Sequence, residues 1–199
     1  MVSKKAGTEL WNEDRLISLL KDGHEGAFRA LVRQYRESLF GIAYGITLDR
    51  EESLDIVQEV FLKVHQKIHT FGERSSLSTW LHRITVNQSL NWQRKFKRRF
   101  KWHHQPLERD ESGDLEELGT DNHSPETLYQ EKEFEKRFRE GLEGLAEGSR
   151  AVFVLKEIEG LSYDEIASIF GINRGTVSSR LFYARKELRK VLDEYLNGD

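Results

Sequence analysis

The stretch from Ser162 to Leu192 constrains the fold more than any other part of the chain. Residues Ser162 to Phe170 read SYDEIASIF, the tight turn Gly171-Ile172-Asn173 follows, and RGTVSSRLFYARKELRKVL runs from Arg174 to Leu192. Ser162 and Glu165 have capping-box spacing, so the first helix has a defined start. Asn173 suits the N-cap of the second helix. Its apolar positions Val177, Leu181, Ala184, Leu188 and Val191 alternate at spacings of four and three. That pattern is one buried stripe on a helix. Arg174, Ser178, Ser179, Phe182, Arg185 and Arg189 lie off the stripe. Two helices joined by a short glycine turn form a helix-turn-helix. Its second member offers Arg, Ser and aromatic groups, which suits a DNA major groove.

The rest of the chain must be compatible with that ending. Only 37% of the 199 residues are hydrophobic and 33% are charged, which predicts a soluble protein with modest cores. Two prolines in the whole chain favour helix. The absence of cysteine excludes disulfides and thiolate metal sites and fits a reducing cytoplasm. No signal peptide is visible, and no stretch approaches the roughly 18 apolar residues of a membrane span. The net charge of −3 hides strong segregation. Arg94 to Lys101 reads RKFKRRFK with no acid, whereas Glu108 to Asp121 holds seven acids against one arginine. Phosphate binding depends on charge placed locally, so the basic block argues for nucleic acid despite the negative total.

Between Glu9 and Thr47 the periodicity predicts two or three helices, broken at Asp22-Gly23. Asp49 and Glu52 can cap the next one, whose expected buried face is Leu54, Val57, Phe61, Val64 and Ile68. A serine-bearing loop from Thr70 to Ser78 precedes a helix that runs from near Thr79 into the basic block. His103 to Ser124 has many acids and few large apolar groups, so it reads as a flexible acidic linker. Glu126 to Leu142 and Ser149 to Glu159 read as further helices, the latter ended by Gly160. The expected architecture is all-α. Two small helical domains, 1–102 and 126–199, are joined by a linker at 103–125.

Four segments, in order, resemble the extracytoplasmic-function group of the sigma-70 family, the promoter-recognition subunits of bacterial RNA polymerase. DIVQEVFLKV, Asp55 to Val64, is similar to region 2.2. FGERSSLSTWLHRITVN, Phe71 to Asn87, is similar to region 2.3, and Gln88 to Lys101 to region 2.4. GLSYDEIASIFGINRGTVSSRLFYARKEL, Gly160 to Leu188, is similar to region 4.2. The likeness spans Ala27 to Leu192.

The resemblance implies roles for named residues. Asp55, Gln58 and Glu59 would bind core polymerase. Phe71, Ser75, Ser76, Trp80, His82 and Asn87 would open and read the −10 element, with Asn87 lining a pocket for a flipped base. Such extrusion needs aromatic or polar shelter, because unstacking a base costs a few kcal/mol. Arg94, Lys95, Lys97 and Arg98 would grip phosphate. Arg174, Thr176, Ser178, Ser179, Phe182, Tyr183 and Arg185 would face the −35 element. Serine at 178 and tyrosine at 183 replace basic residues common in the family, so no bidentate Arg–guanine contact is available there. The implied partners are core RNA polymerase, promoter DNA and an anti-sigma factor, in the cytoplasm, with no membrane insertion, no cofactor, no metal and no catalysis. A stand-alone helix-turn-helix regulator would explain the C-terminus but not Asp55 to Asn87. A metal-dependent nuclease finds His65 and His69, four apart with no catalytic Glu between them, and an equally weak pair at His103-His104 in the linker.

Overall fold

The computed structural model describes residues 12–72, 75–102 and 125–197, and all its regular elements are helical. The linker expected at 103–125 falls, but for Pro125, outside the described residues. In the N-terminal lobe, α1 (Glu13–Lys21) and α2 (Glu25–Thr47) are followed by α3 (Arg50–Lys67). A 3-10 turn, Ile68–Thr70, then leads to α4 (Leu77–Trp102). Each start has a local cause. Asn12 accepts from the Asp14 N–H, His24 Nδ1 from Ala27 and Asp49 Oδ1 from Glu52. The Ser76 hydroxyl accepts from the Thr79 N–H, which starts α4 two residues before the expected Thr79. The Leu77 N–H donates to Glu13 Oε1 at 2.8 Å and ties α4 to α1.

The core of this lobe is built from Leu31, Leu39, Val60, Val64, Leu77 and Leu81, all fully buried. The α3 face differs from the expected one. Ile56 and Val60 are buried, whereas Leu54 is on the exposed side. Both α2 and α4 pack against α3, so its buried surface is wider than a single stripe.

The C-terminal lobe runs α5 (Pro125–Gly144), α6 (Glu147–Phe153), α7 (Tyr163–Phe170) and α8 (Arg174–Asn197). The helix expected from Ser149 to Glu159 is not one continuous α-helix. After Phe153 it widens into a π turn, Val154–Ile158, closed by the Glu159 N–H on the Val154 carbonyl at 3.2 Å. The capping box at Ser162 is complete in both directions. Gly171 ends α7 at φ 65°, where a side chain would be strained.

The lobes are not separate. One apolar core joins Ile42, Ile46, Leu48, Val86 and Leu90 from α2, its cap and α4 to Leu142, Val152, Leu155, Ile166, Val177 and Leu181. Leu48 sits there at φ 58°, a left-handed cap that non-glycine residues rarely adopt. Its side chain is 3% exposed, so burial in the joint core offsets the backbone strain.

Candidate nucleic-acid interfaces

On α8 the separation of faces is clean. Val177, Leu181, Ala184 and Leu188 are buried, and Arg174, Ser178, Ser179, Phe182, Tyr183 and Arg185 are exposed. The Phe182 and Tyr183 rings meet edge to face, 5.6 Å apart, yet both are about 60% exposed. Two aromatics so open to water have no packing role that explains them. Thr176 is half-buried, and its hydroxyl donates to Asn173 Oδ1 at 3.0 Å, so it serves the helix cap. Arg174 reaches Asp164 at 3.5 Å and lies 5.7 Å from the Tyr163 ring. Arg185 donates through Nε and Nη2 to Glu157 Oε1 at 3.0 and 2.6 Å. Its guanidinium therefore points back to the π turn.

On α4, Asn87 is exposed although Thr85, Val86 and Ser89 beside it are buried. Beyond it Arg94, Lys95, Lys97 and Arg98 are all exposed, a basic ridge on one continuous helix. Trp92 stacks on Phe96 at 4.9 Å and both are half-buried. Lys97 pairs with Glu147 of α6 at 2.9 Å. Ser75 is half-buried, and Ser76 is exposed with its hydroxyl committed to the start of α4.

Two expected base-contacting residues are not at the surface. Phe71 is 5% exposed, because its ring closes the N-terminal core 5.1 Å from a half-buried Trp80. His82 is 6% exposed and faces the junction between the lobes, with Nε2 3.5 Å from Ser38 Oγ. Burial holds its imidazole below the ordinary value, against the pull of the Glu165 carboxylate. The sequence pattern gave no sign of this, since Ser38 and Glu165, which it faces, lie far from it in sequence.

On α3, Asp55, Gln58 and Glu59 are exposed on one side. Leu62 completes that side at the next turn and is 61% exposed; it belongs neither to the expected buried face nor to the expected docking set. Gln88 of α4 donates to Glu59 Oε2 at 2.5 Å, so this side is joined to the helix that carries Asn87. Among the described residues no cluster of histidine and acidic groups could hold a metal ion.

Two family descriptions match the chain over more than half its length. They are Sigma-70 region 2 over residues 31–99 and Sigma-70, region 4 over residues 135–188. The chain belongs to the sigma-70 family, the promoter-recognition subunits of RNA polymerase. It is 31% identical over 190 residues to the RNA polymerase sigma-H factor of Pseudomonas aeruginosa, covering 92% of this chain and 95% of that one. It is 32% identical over 190 residues to the ECF RNA polymerase sigma-E factor of Haemophilus influenzae, covering 92% and 97%. Its place is thus among the extracytoplasmic-function sigma factors. Solved structures agree on the fold. CnrH in complex with the cytosolic domain of CnrY aligns with a TM-score of 0.67 at 23% identity, over 91% of this chain and 97% of that chain. The sigma factor RpoE from Bartonella quintana, with the anti-sigma factor NepR, aligns with a TM-score of 0.66 at 23% identity, over 83% and 96%. As a sigma factor, the protein binds core RNA polymerase and directs it to promoters. The stand-alone regulator is not favoured, because region 2 as well as the helix-turn-helix is present.

Proposed function

We propose that this sigma factor divides its work among three surfaces. The α3 side of Asp55, Gln58, Glu59 and Leu62 docks on core polymerase. Asn87 shelters a base extruded from the −10 element, and the ridge of Arg94, Lys95, Lys97 and Arg98 holds the adjoining phosphates. Arg174, Ser178, Ser179, Phe182 and Tyr183 face the −35 element. The protein acts in the cytoplasm, contributes no catalysis of its own, and is restrained by an anti-sigma factor. Support for that last partner comes from similarity to folds solved with such regulators.

The observation that carries the reading is α8 itself, with four residues committed to the core and two large aromatics left in water opposite them. Phe182 suits a thymine methyl, and serines suit several base edges. With no arginine at 178, 179, 182 or 183 to make a bidentate contact, discrimination per base at these positions is about 1 kcal/mol, the low end of the usual range. Transcription by reconstituted holoenzyme from a randomised −35 library tests this. Ser178→Ala and Phe182→Ala each shift the preferred −35 sequence. An unchanged preference in both variants assigns −35 reading to another surface.

A further inference from the structure

The arginines at 174, 180 and 185 of α8 are all engaged within the protein. Arg174 pairs with Asp164 at 3.5 Å and lies 5.7 Å from the Tyr163 ring. Arg180 is half-buried, with its guanidinium 5.9 Å from the Phe170 ring and Nη1 3.1 Å from where a Cβ on Gly148 would stand. Arg185 is turned to Glu157. What α8 leaves exposed between Arg174 and Arg185 is uncharged: Gly175, Ser178, Ser179, Phe182 and Tyr183.

Hydrogen-bond donors on that stretch are also few. The Thr176 hydroxyl donates to Asn173 Oδ1 at 3.0 Å, and the Ser179 hydroxyl donates to the Thr176 carbonyl at 3.1 Å. A hydroxyl carries one proton, so both donors are committed to the helix itself. The large groups on the face are rings. Ser178 and Ser179 stand four residues before Phe182 and Tyr183, so each ring has a short side chain on its N-terminal flank. A base edge can reach the rings without meeting a bulky neighbour. The rings brace one another edge to face at 5.6 Å while the residues stay 63% and 60% exposed.

In the major groove the base edges present donors, acceptors and one apolar mark, the C5 methyl of thymine. A face of rings with few donors reads that mark best. The same methyl stands on 5-methylcytosine, which differs from thymine in the groove by an amino donor in place of the O4 acceptor. The Ser178 hydroxyl is able to match either, as donor or acceptor. We propose that Phe182 and Tyr183 read the −35 element through pyrimidine C5 methyl groups, so that this sigma factor accepts 5-methylcytosine in place of thymine and responds to cytosine methylation of its promoters. The proposal rests on α8 as the −35 reader and adds the chemical mark that it reads.

The test uses reconstituted holoenzyme and the −35 sequence preferred in the randomised library. Each thymine of that element, on both strands, is replaced in turn by uracil, which lacks only the methyl. Transcription at sub-saturating holoenzyme is expected to fall roughly fourfold at one or two positions, the effect of withdrawing one methyl from a buried contact. At those positions a C·G pair should transcribe as poorly as uracil, and a 5-methylcytosine·G pair should recover most of the loss. Phe182→Ala and Tyr183→Ala change exposed side chains and should leave helix content by circular dichroism intact. In the variant that lacks the ring concerned, thymine and uracil templates should transcribe alike, which a change in duplex stiffness would not produce. Uracil tolerated at every thymine overturns the proposal, as does a methyl effect that survives in the double variant. A methyl effect that 5-methylcytosine fails to restore overturns the response to methylation. A library preference unchanged in Ser178→Ala and Phe182→Ala defeats the −35 reading itself, whereas a preference that shifts while uracil costs nothing defeats only the reading of methyl groups.

Discussion

His82 is buried and Glu159 half-buried, both beside Ser38 at the junction of the lobes, and they respond to pH in opposite senses. Burial lowers the imidazole and raises the Glu159 carboxyl, the latter against the hydrogen bond from Ser38. A histidine with a lowered pKa binds fewer protons when folded. Its contribution is intact above the ordinary imidazole value, about 6.5, and is lost as the pH falls below it. A carboxyl with a raised pKa does the reverse. It favours the fold at low pH, and that advantage is lost as the pH rises through its folded value. Glu165 on α7 also faces His82, and its negative charge opposes the burial effect. In a Glu159→Gln background the two slopes separate. Stability to urea should then fall from pH 7.5 to 5.0 with His82 present and hold flatter with His82→Gln. A fall of equal slope in both proteins would exclude His82 as its source. Leu62 is a simpler case, an apolar side chain in water beside Asp55, Gln58 and Glu59. Leu62→Asp should leave thermal stability nearly unchanged, as surface changes do, and weaken core polymerase binding roughly tenfold. Undiminished affinity in a titration would remove Leu62 from the docking surface.

Helix starts and stops in this chain were largely legible, because the residues that set them lie within four positions of one another. Asp49, Ser162 and Asn173 all cap as their spacing implied. Ser162→Ala removes half of a reciprocal pair and should cost about 1 kcal/mol. For a chain of this size that is a fall in Tm of roughly 2–4 °C, readable by calorimetry. An unshifted Tm would show that tertiary packing alone holds the start of α7. The π turn at Val154 was not legible, since Ala151 to Leu155 are consecutive apolar residues, all buried, and offer no stripe in which a shift of register could be seen. Leu54 was misplaced for a related reason. A helix packed on two neighbours buries adjacent residues such as Ile56 and Val57, and a single-stripe pattern selects only some of them. In the candidate sites, α8 followed its periodicity closely. Phe71 and His82 did not, because their burial depends on residues far away in sequence.

At the scale of the molecule, two lobes share one core, so they should unfold together. The four tryptophans, at positions 11, 80, 92 and 102, all precede the C-terminal lobe. Tryptophan fluorescence therefore follows the N-terminal half while circular dichroism follows both. In urea the two signals should coincide for the natural sequence and part for Gly45→Ala. Separate midpoints in the natural sequence would mean that the joint core adds little cooperativity. The docking of lobes was invisible to reading one helix at a time, because Gly45 gains meaning only once Val154 is set against it, a γ-carbon lying 2.7 Å from where its Cβ would be. Drift in the two lobes is thereby coupled: a larger residue at position 45 is tolerated only after position 154 has shrunk.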